Sequence, residues 1–251
     1  MLKALRLATA ASALALWLVP AQAAEFTDAQ KGEIGEVVKN YLLEHPELID
    51  QALAELKKRQ EETESQAATQ AIADNGKAIF HSDGDLVAGN PDGKVTMVEF
   101  FDYNCGYCKR AFPDVLKMVE ADKDLRLVMK EFPILGPGSV FAARAALASR
   151  AQGKYWDYHM AMMKHEGRMD ESAALAIAAK IGLDVEKLKA DIKAGEGNAV
   201  LGINEKLAQS LNIGGTPAFI IDQTLIPGAI GYEGLAEAVK AVRDGGGCKV
   251  C

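Results

Sequence analysis

Phe100-Phe101-Asp102-Tyr103-Asn104-Cys105-Gly106-Tyr107-Cys108-Lys109-Arg110 carries a C-x-x-C where an apolar run gives way to a helical pattern. The run, Val95-Thr96-Met97-Val98-Glu99-Phe100-Phe101, is nearly continuous in apolar residues, as a central strand buried on both faces should be. Asn90-Pro91-Asp92-Gly93 supplies a turn before it. Cys105 is thereby placed at a helix N-terminus, where unpaired backbone N–H groups and the helix dipole favour a thiolate. Cys108, one turn further in, is shielded and placed to attack a mixed disulfide formed at Cys105. The same spacing also serves as half of a zinc site, but zinc needs two more ligands. The only other cysteine pair, Cys248 and Cys251, lies at the far end of the chain, so the redox reading is preferred.

Working outward, Ile79-Phe80 reads as a strand before the central one and Leu125 to Lys130 as one after it. Ala218 to Ile221 and Thr224 to Ile226 follow late in the chain. Between Lys130 and Ala218 lie helical patterns over 140–152, 155–164, 171–181, 185–194 and 199–211. A block of that size inside an α/β unit is a subdomain and not a loop. Gly214-Gly215-Thr216-Pro217-Ala218-Phe219 sets a proline directly before an apolar strand, a place where either an ordinary turn proline or a cis one can stand.

Strand, C-x-x-C, helical insert and Thr-Pro, in this order, resemble the DsbA family of bacterial periplasmic disulfide oxidoreductases over about 78–243. The resemblance implies an α/β protein: a thioredoxin fold with a helical insertion and an N-terminal helical extension. It also implies a cis Pro217 facing the Cys105/Cys108 disulfide. Glu99, six residues before Cys105, resembles the acid beneath that family's active site, and Lys130 resembles its partner; a carboxylate there can pass a proton to or from Cys108. The catalytic set implied is Cys105, Cys108, Thr216, Pro217, Glu99 and Lys130. Cys-Gly-Tyr-Cys, Thr before the proline and the helical N-terminus are most like the suppressor-of-copper-sensitivity C proteins, some of which resemble oligomeric isomerases. Tyr107 stands where the strong oxidases carry histidine, a departure that implies a weaker oxidant.

The start of the chain indicates export. Lys3 and Arg6 precede an apolar run from Leu7 to Val19 and the small-x-small pattern Ala21-Gln22-Ala23, so 1–23 is expected to be a signal peptide cleaved after Ala23, giving a periplasmic protein. The whole chain has 28 Lys and Arg against 35 Asp and Glu, a formal charge of −7. Loss of Lys3 and Arg6 makes the remainder more acidic still, which argues against nucleic acid as a partner.

Residues 24–76 read as a helical extension. Thr27 caps a first helix bearing Ile34, Val37, Val38, Tyr41 and Leu42; Pro46 opens a second, bearing Leu48, Ile49, Ala52, Leu53 and Leu56. A stripe this narrow on charged helices makes no core alone, so association between copies of the chain is expected. The catalytic domain is placed at 77–244, with its insert at about 136–211.

Gly245-Gly246-Gly247 leads into Cys248-Lys249-Val250-Cys251, read as a flexible 245–251 tail. Its pair can pass electrons to the main site, hold a soft metal, or be an exposed disulfide. The Met/His-rich run of His159, Met160, Met162, Met163, His165 and Met169 reads as core packing. Tyr103, Tyr107, Phe112, Ile134 and Leu135 are candidates for an apolar rim around Cys105. No cofactor and no resident metal are assigned. The expected activity is thiol–disulfide exchange on misfolded, cysteine-containing clients, as isomerase or reductase, supplied by a membrane thiol–disulfide partner. A dithiol oxidase or a copper-binding thiol protein is the alternative.

Overall fold

The computed structural model describes residues 26–251; the expected export segment 1–23 lies outside the described residues. Two compact units divide between Lys57 and Lys58.

In the first, helix α1 (Asp28–Glu44) opens on a reciprocal capping box. The Thr27 side chain accepts from the Gln30 N–H, and the Gln30 side chain accepts from the Thr27 N–H. Helix α2 (Glu47–Asp74) follows Pro46. Its polar middle, 57–66, stays helical because Lys, Arg, Gln and Glu are good helix formers that need no burial. The apolar stripe is open to solvent: Ile34, Val38, Tyr41, Ile49 and Leu56 are exposed, with Val37 at 68% and Leu53 at 58%.

The last turns of α2 belong to the second unit. Ile72 is a fully buried core residue, and the Thr69 hydroxyl donates to the Gln223 carbonyl at 3.4 Å. The compact division therefore falls upstream of the boundary expected at 76/77, inside a continuous helix. Ile79-Phe80, expected as a strand, instead ends a short helix α3 (Gly76–Phe80), with the Ile79 N–H donating to the Asn75 carbonyl. Two adjacent buried apolar residues fit either element, and periodicity cannot separate them. The first strand is β1 (Leu86–Gly89).

The rest of the sheet comprises β2 (Val95–Phe101), β3 (Leu125–Glu131), β4 (Ala218–Ile221) and β5 (Thr224–Pro227), in the order β1-β3-β2-β4-β5. Only β2 and β3 pair in parallel; β1 with β3, β2 with β4 and β4 with β5 are antiparallel. Every residue of β2 is buried. Alternation divides it between two cores. Val95, Met97 and Phe101 face one core, which they share with Cys108 and Val115 of helix α4 (Gly106–Ala121) and with Leu235 and Val239 of helix α10 (Gly231–Asp244). Val98 and Phe100 face the other, with Phe80.

The expected helical block is α5 (Pro137–Ala148), a 3-10 turn (Ser149–Gln152), α6 (Tyr155–Met163), α7 (Glu171–Lys180), α8 (Val185–Ala194) and α9 (Asn198–Ser210). Buried Ala142, Ala143, Ala145 and Ala146 let α5 pack closely against its neighbours. Within the block, His159, Met162, Met163 and Met169 are buried core residues, with His159 packed against the rings of Phe101, Phe112 and Trp156.

The tail is not a loose tether. One oxygen of Asp222, in the turn between β4 and β5, accepts from the Lys249 N–H at 2.7 Å and the Val250 N–H at 3.2 Å. Val250 and Cys251 pack against the second core, and Cys248 and Cys251 are disulfide-bonded. Three glycines make the approach flexible, but one buried carboxylate and two apolar contacts fix its end.

Candidate functional site

The strand-to-helix passage read from the sequence puts Cys105 at the N-cap of α4. Its Sγ lies 3.4 Å from the Cys108 N–H, which donates to it, and its thiol donates to the Thr216 carbonyl at 3.1 Å. A sulfur held between a helix N-terminal donor and a backbone acceptor has a partner in either protonation state. Both thiols are free. Cys108 is fully enclosed, and burial first, then the charge of Glu99, push its thiol well up. It is a poor thiolate while resting and becomes a nucleophile only if a nearby group takes its proton.

Glu99 is near enough for its charge to act on the Cys108 thiol. It is 1% exposed on the face of β2 that Cys108 packs against, and one of its oxygens has no hydrogen-bond partner. Burial pushes its carboxyl up to about 8, so near neutrality it holds a proton it can release and recover. The Thr216–Pro217 peptide bond is cis, as expected, and leads straight into β4. Beside it, Tyr107, Ile213, Thr216, Pro217, Leu225 and Pro227 line a cavity of about 350 Å³.

Cys105, Cys108, Glu99, Thr216 and Pro217 thus converge, and Lys130 does not join them. Register pairs Glu99 with Met129 and Phe100 with Lys130, so alternation sends Lys130 to the opposite face of the sheet from Glu99. There the fully buried Lys130 donates through Nζ to Asp85 Oδ2 at 2.5 Å, on a side chain 3% exposed, and to the Ala78 carbonyl at 2.7 Å. The expected Glu99–Lys130 partnership is replaced by a Lys130–Asp85 ion pair, and among the described residues no cation pairs with Glu99.

The rim is also smaller than expected. Tyr103 and Phe112 are core residues, whereas Tyr107 is 62% exposed, with the Arg110 guanidinium 4.2 Å over its ring; Ile134 and Leu135 are exposed too.

Several residues that shape the site went unread in the sequence. Buried Asp102 accepts from the Ile134 and Leu135 N–H groups, the Ser139 hydroxyl and the Asn104 N–H, all at 2.7–2.9 Å. The Asn104 side-chain amide pairs with both backbone groups of Met169, donating at 2.8 Å and accepting at 2.7 Å. These bonds tie the loop before Cys105 to the helical insert. Behind them, fully buried Glu131 accepts from the Tyr103 hydroxyl at 2.8 Å and the Tyr155 hydroxyl at 2.5 Å. Burial pushes its carboxyl up to about 8 and pushes His159, 3.1 Å from the Tyr103 hydroxyl, down to about 3. The only signal for Asp102 and Asn104 was their turn-forming character on either side of Tyr103; their partners in and before the insert are 32 to 65 residues distant in sequence.

Fold and site together define a thiol–disulfide oxidoreductase of the thioredoxin type. The DSBA-like thioredoxin domain family matches residues 96–240, and the copper resistance protein ScsC N-terminal domain matches residues 30–62. The chain therefore belongs to the DSBA-like thioredoxin-domain family. Among solved structures it is 47% identical to a thioredoxin-like oxidoreductase from Silicibacter pomeroyi, with 67% of this chain and 97% of that one covered and a TM-score of 0.66. It is 32% identical to Salmonella enterica Typhimurium BcfH, covering 84% and 95% with a TM-score of 0.72. A linker-deletion mutant of Proteus mirabilis ScsC is 28% identical over 88% and 98%, with a TM-score of 0.63. Among curated proteins the Na(+)/H(+) antiporter NhaA 1 of Salinispora arenicola is 28% identical over 159 residues. That match takes in 62% of this chain and 24% of the antiporter, so the chain spans about a quarter of the length of the curated relatives it matches.

Proposed function

We propose that this chain is an exported protein disulfide isomerase and reductase. Cys105 is the nucleophile: its thiolate attacks a wrong disulfide in a client, forming a mixed disulfide. A client thiol resolves it in isomerisation; Cys108 resolves it in net reduction, with the ionised form of Glu99 accepting the Cys108 proton. Thr216 and Pro217 shape the wall against which the client lies, and Tyr107 with Ile134 and Leu135 offers it apolar contact. Lys130 acts at a distance, by holding the sheet beneath the site. The compartment is the periplasm, and a membrane thiol–disulfide protein returns the Cys105/Cys108 pair to its working state.

The observation that carries isomerase over oxidase is the exposed apolar stripe of α1 and the first half of α2, which coincides with the match at residues 30–62. A stripe of this length on charged helices is covered when copies of the chain associate. Association sets several Cys105 sites around one client and raises their effective concentration.

The test retains the whole chain and replaces Val37 and Leu53 by glutamate. Sedimentation gives the assembly state, and scrambled and reduced ribonuclease give isomerase and oxidase activity. The expected result is an oligomer that reactivates scrambled ribonuclease and a monomeric variant that still oxidises reduced ribonuclease but no longer rescues the scrambled form. Oxidation by both proteins, with rescue by neither, identifies a dithiol oxidase instead.

A further inference from the structure

The second C-x-x-C lies at the opposite pole of the sheet from the first. Thr216, whose carbonyl accepts from Cys105, immediately precedes Pro217 and β4; Asp222, whose carboxylate lies 3.4 Å from the Cys248 sulfur, immediately follows it. Near-extended chain from Thr216 to Asp222 spans roughly 20 Å. The tail leaves α10 at Asp244, at the Asp222 pole: the Gly247 N–H donates to the Val242 carbonyl, and Asp222, Val242 and Lys249 line one small cavity. From Asp244, fully stretched chain brings Cys248 only ~14 Å, short of its own Cys105. Cys251 at full stretch covers ~24 Å, but the straight path runs through the packed sheet. The two pairs of one chain do not meet.

The environments differ as well as the positions. Cys105 receives a backbone N–H at a helix N-terminus, whereas the tail pair lies outside any helix and Cys248 faces the Asp222 carboxylate. A neighbouring negative charge disfavours a thiolate, and a dithiol whose thiolates are unsupported gives up its electrons more readily. Both tail cysteines are half-buried, and so open to an incoming sulfur.

We propose that Cys248/Cys251 is a second redox couple of this protein, more reducing than Cys105/Cys108, that exchanges only with other molecules, including the Cys105–Cys108 disulfide of a second copy. In that exchange the Cys248 thiolate attacks Cys105 Sγ of the oxidised partner copy. The Cys105–Cys108 bond breaks, a Cys248–Cys105 mixed disulfide forms, and Cys108 leaves as a thiolate that takes up a proton. Cys251, giving up its proton, then attacks Cys248 Sγ, the tail disulfide re-forms, and Cys105 leaves. Two electrons pass from the tail dithiol to the active-site disulfide. This step rests on the reading of Cys105 as the exchanging thiol; the existence of the second couple does not.

The full chain tests both parts. Wild-type protein is equilibrated in graded dithiothreitol buffers, native thiols are alkylated, and peptides are weighed to assign each cysteine. The expected result is that Cys248 and Cys251 appear as thiols together, in the folded protein, at a more reducing ratio than Cys105 and Cys108. Reduction of the tail only after unfolding, or at a more oxidising ratio than the main pair, overturns the proposal whatever the main pair does. Tail-reduced Cys105→Ser/Cys108→Ser protein is then mixed with oxidised Cys248→Ser/Cys251→Ser protein. Transfer of two electrons at a rate proportional to protein concentration is expected. No transfer overturns exchange between copies, and in wild-type protein a rate independent of concentration overturns the argument from reach.

Discussion

Cys105/Cys108 and Cys248/Cys251 share one spacing and sit at the two ends of β4, yet their surroundings assign them different chemistry. At one end the sheet hands its central strand to a helix, so that Cys105 meets a free N–H, Cys108 is enclosed and Glu99 waits below with a proton. At the other end there is no helix, and a carboxylate and two backbone donors pin the tail. A C-x-x-C is therefore a bite size and not an activity; the local field and the access of each sulfur decide what it does.

The largest expected effect separates the two ends outright. Cys105→Ser should lower turnover of a mixed-disulfide reporter by at least ~1000-fold with unchanged thermal stability, because no other group in reach forms the covalent intermediate. Cys248→Ser with Cys251→Ser should leave that turnover within about twofold. Equal losses from both would erase the distinction.

Next in size is Lys130→Met. It should destabilise the protein by ~3–5 kcal/mol in urea unfolding, because Asp85 is left buried without its cation. A loss of activity without that loss of stability would instead return Lys130 to the catalytic set.

Glu99→Gln probes the proton beneath Cys108. The Glu99 carboxyl is raised from 4.5 to about 8 in the folded protein. The unfolded chain therefore releases this proton first, and stability falls as pH rises between those values. Between pH 6 and 9 wild type should lose about 3 kcal/mol relative to Glu99→Gln. Release of trapped client by Cys108 should also slow in the variant. A stability difference flat with pH would show that Glu99 is not held protonated.

The smallest effect belongs to the tail. Asp222 has a left-handed backbone with φ of +52°, so Asp222→Gly removes the carboxylate without adding strain. About 1 kcal/mol of stability should be lost, and Cys248 should exchange faster with small thiols while Cys105 exchange is unaltered.

Much of the site was legible in one short stretch. A nearly continuous apolar strand running into C-x-x-C implies a buried centre and a helix start, which place Cys105 and Cys108, while Glu99 was read from the resemblance to the DsbA family. The cis Thr216–Pro217 bond was legible only through the resemblance to the DsbA family, because a proline before an apolar strand is by position alone as well read as an ordinary turn residue. The strand expected at Ile79-Phe80 became helix α3, and β1 at Leu86 went unread, because short apolar pairs carry no period. Asp102, Asn104 and Asp85 were invisible, since their partners come from the helical insert or another strand.

The sequence by itself determined the α/β class, the placing of a C-x-x-C where a strand passes into a helix, and the apolar stripe of α1 and α2, because each rests on neighbours along the chain and on simple periodicity. Only the tertiary structure decided that Lys130 serves Asp85 and not Glu99, that Tyr103 and Phe112 are core and not rim, and that the tail cysteines face away from the active site. Strand register and alternation send adjacent residues to opposite faces, and an antiparallel β4 carries its two ends to opposite poles of the sheet.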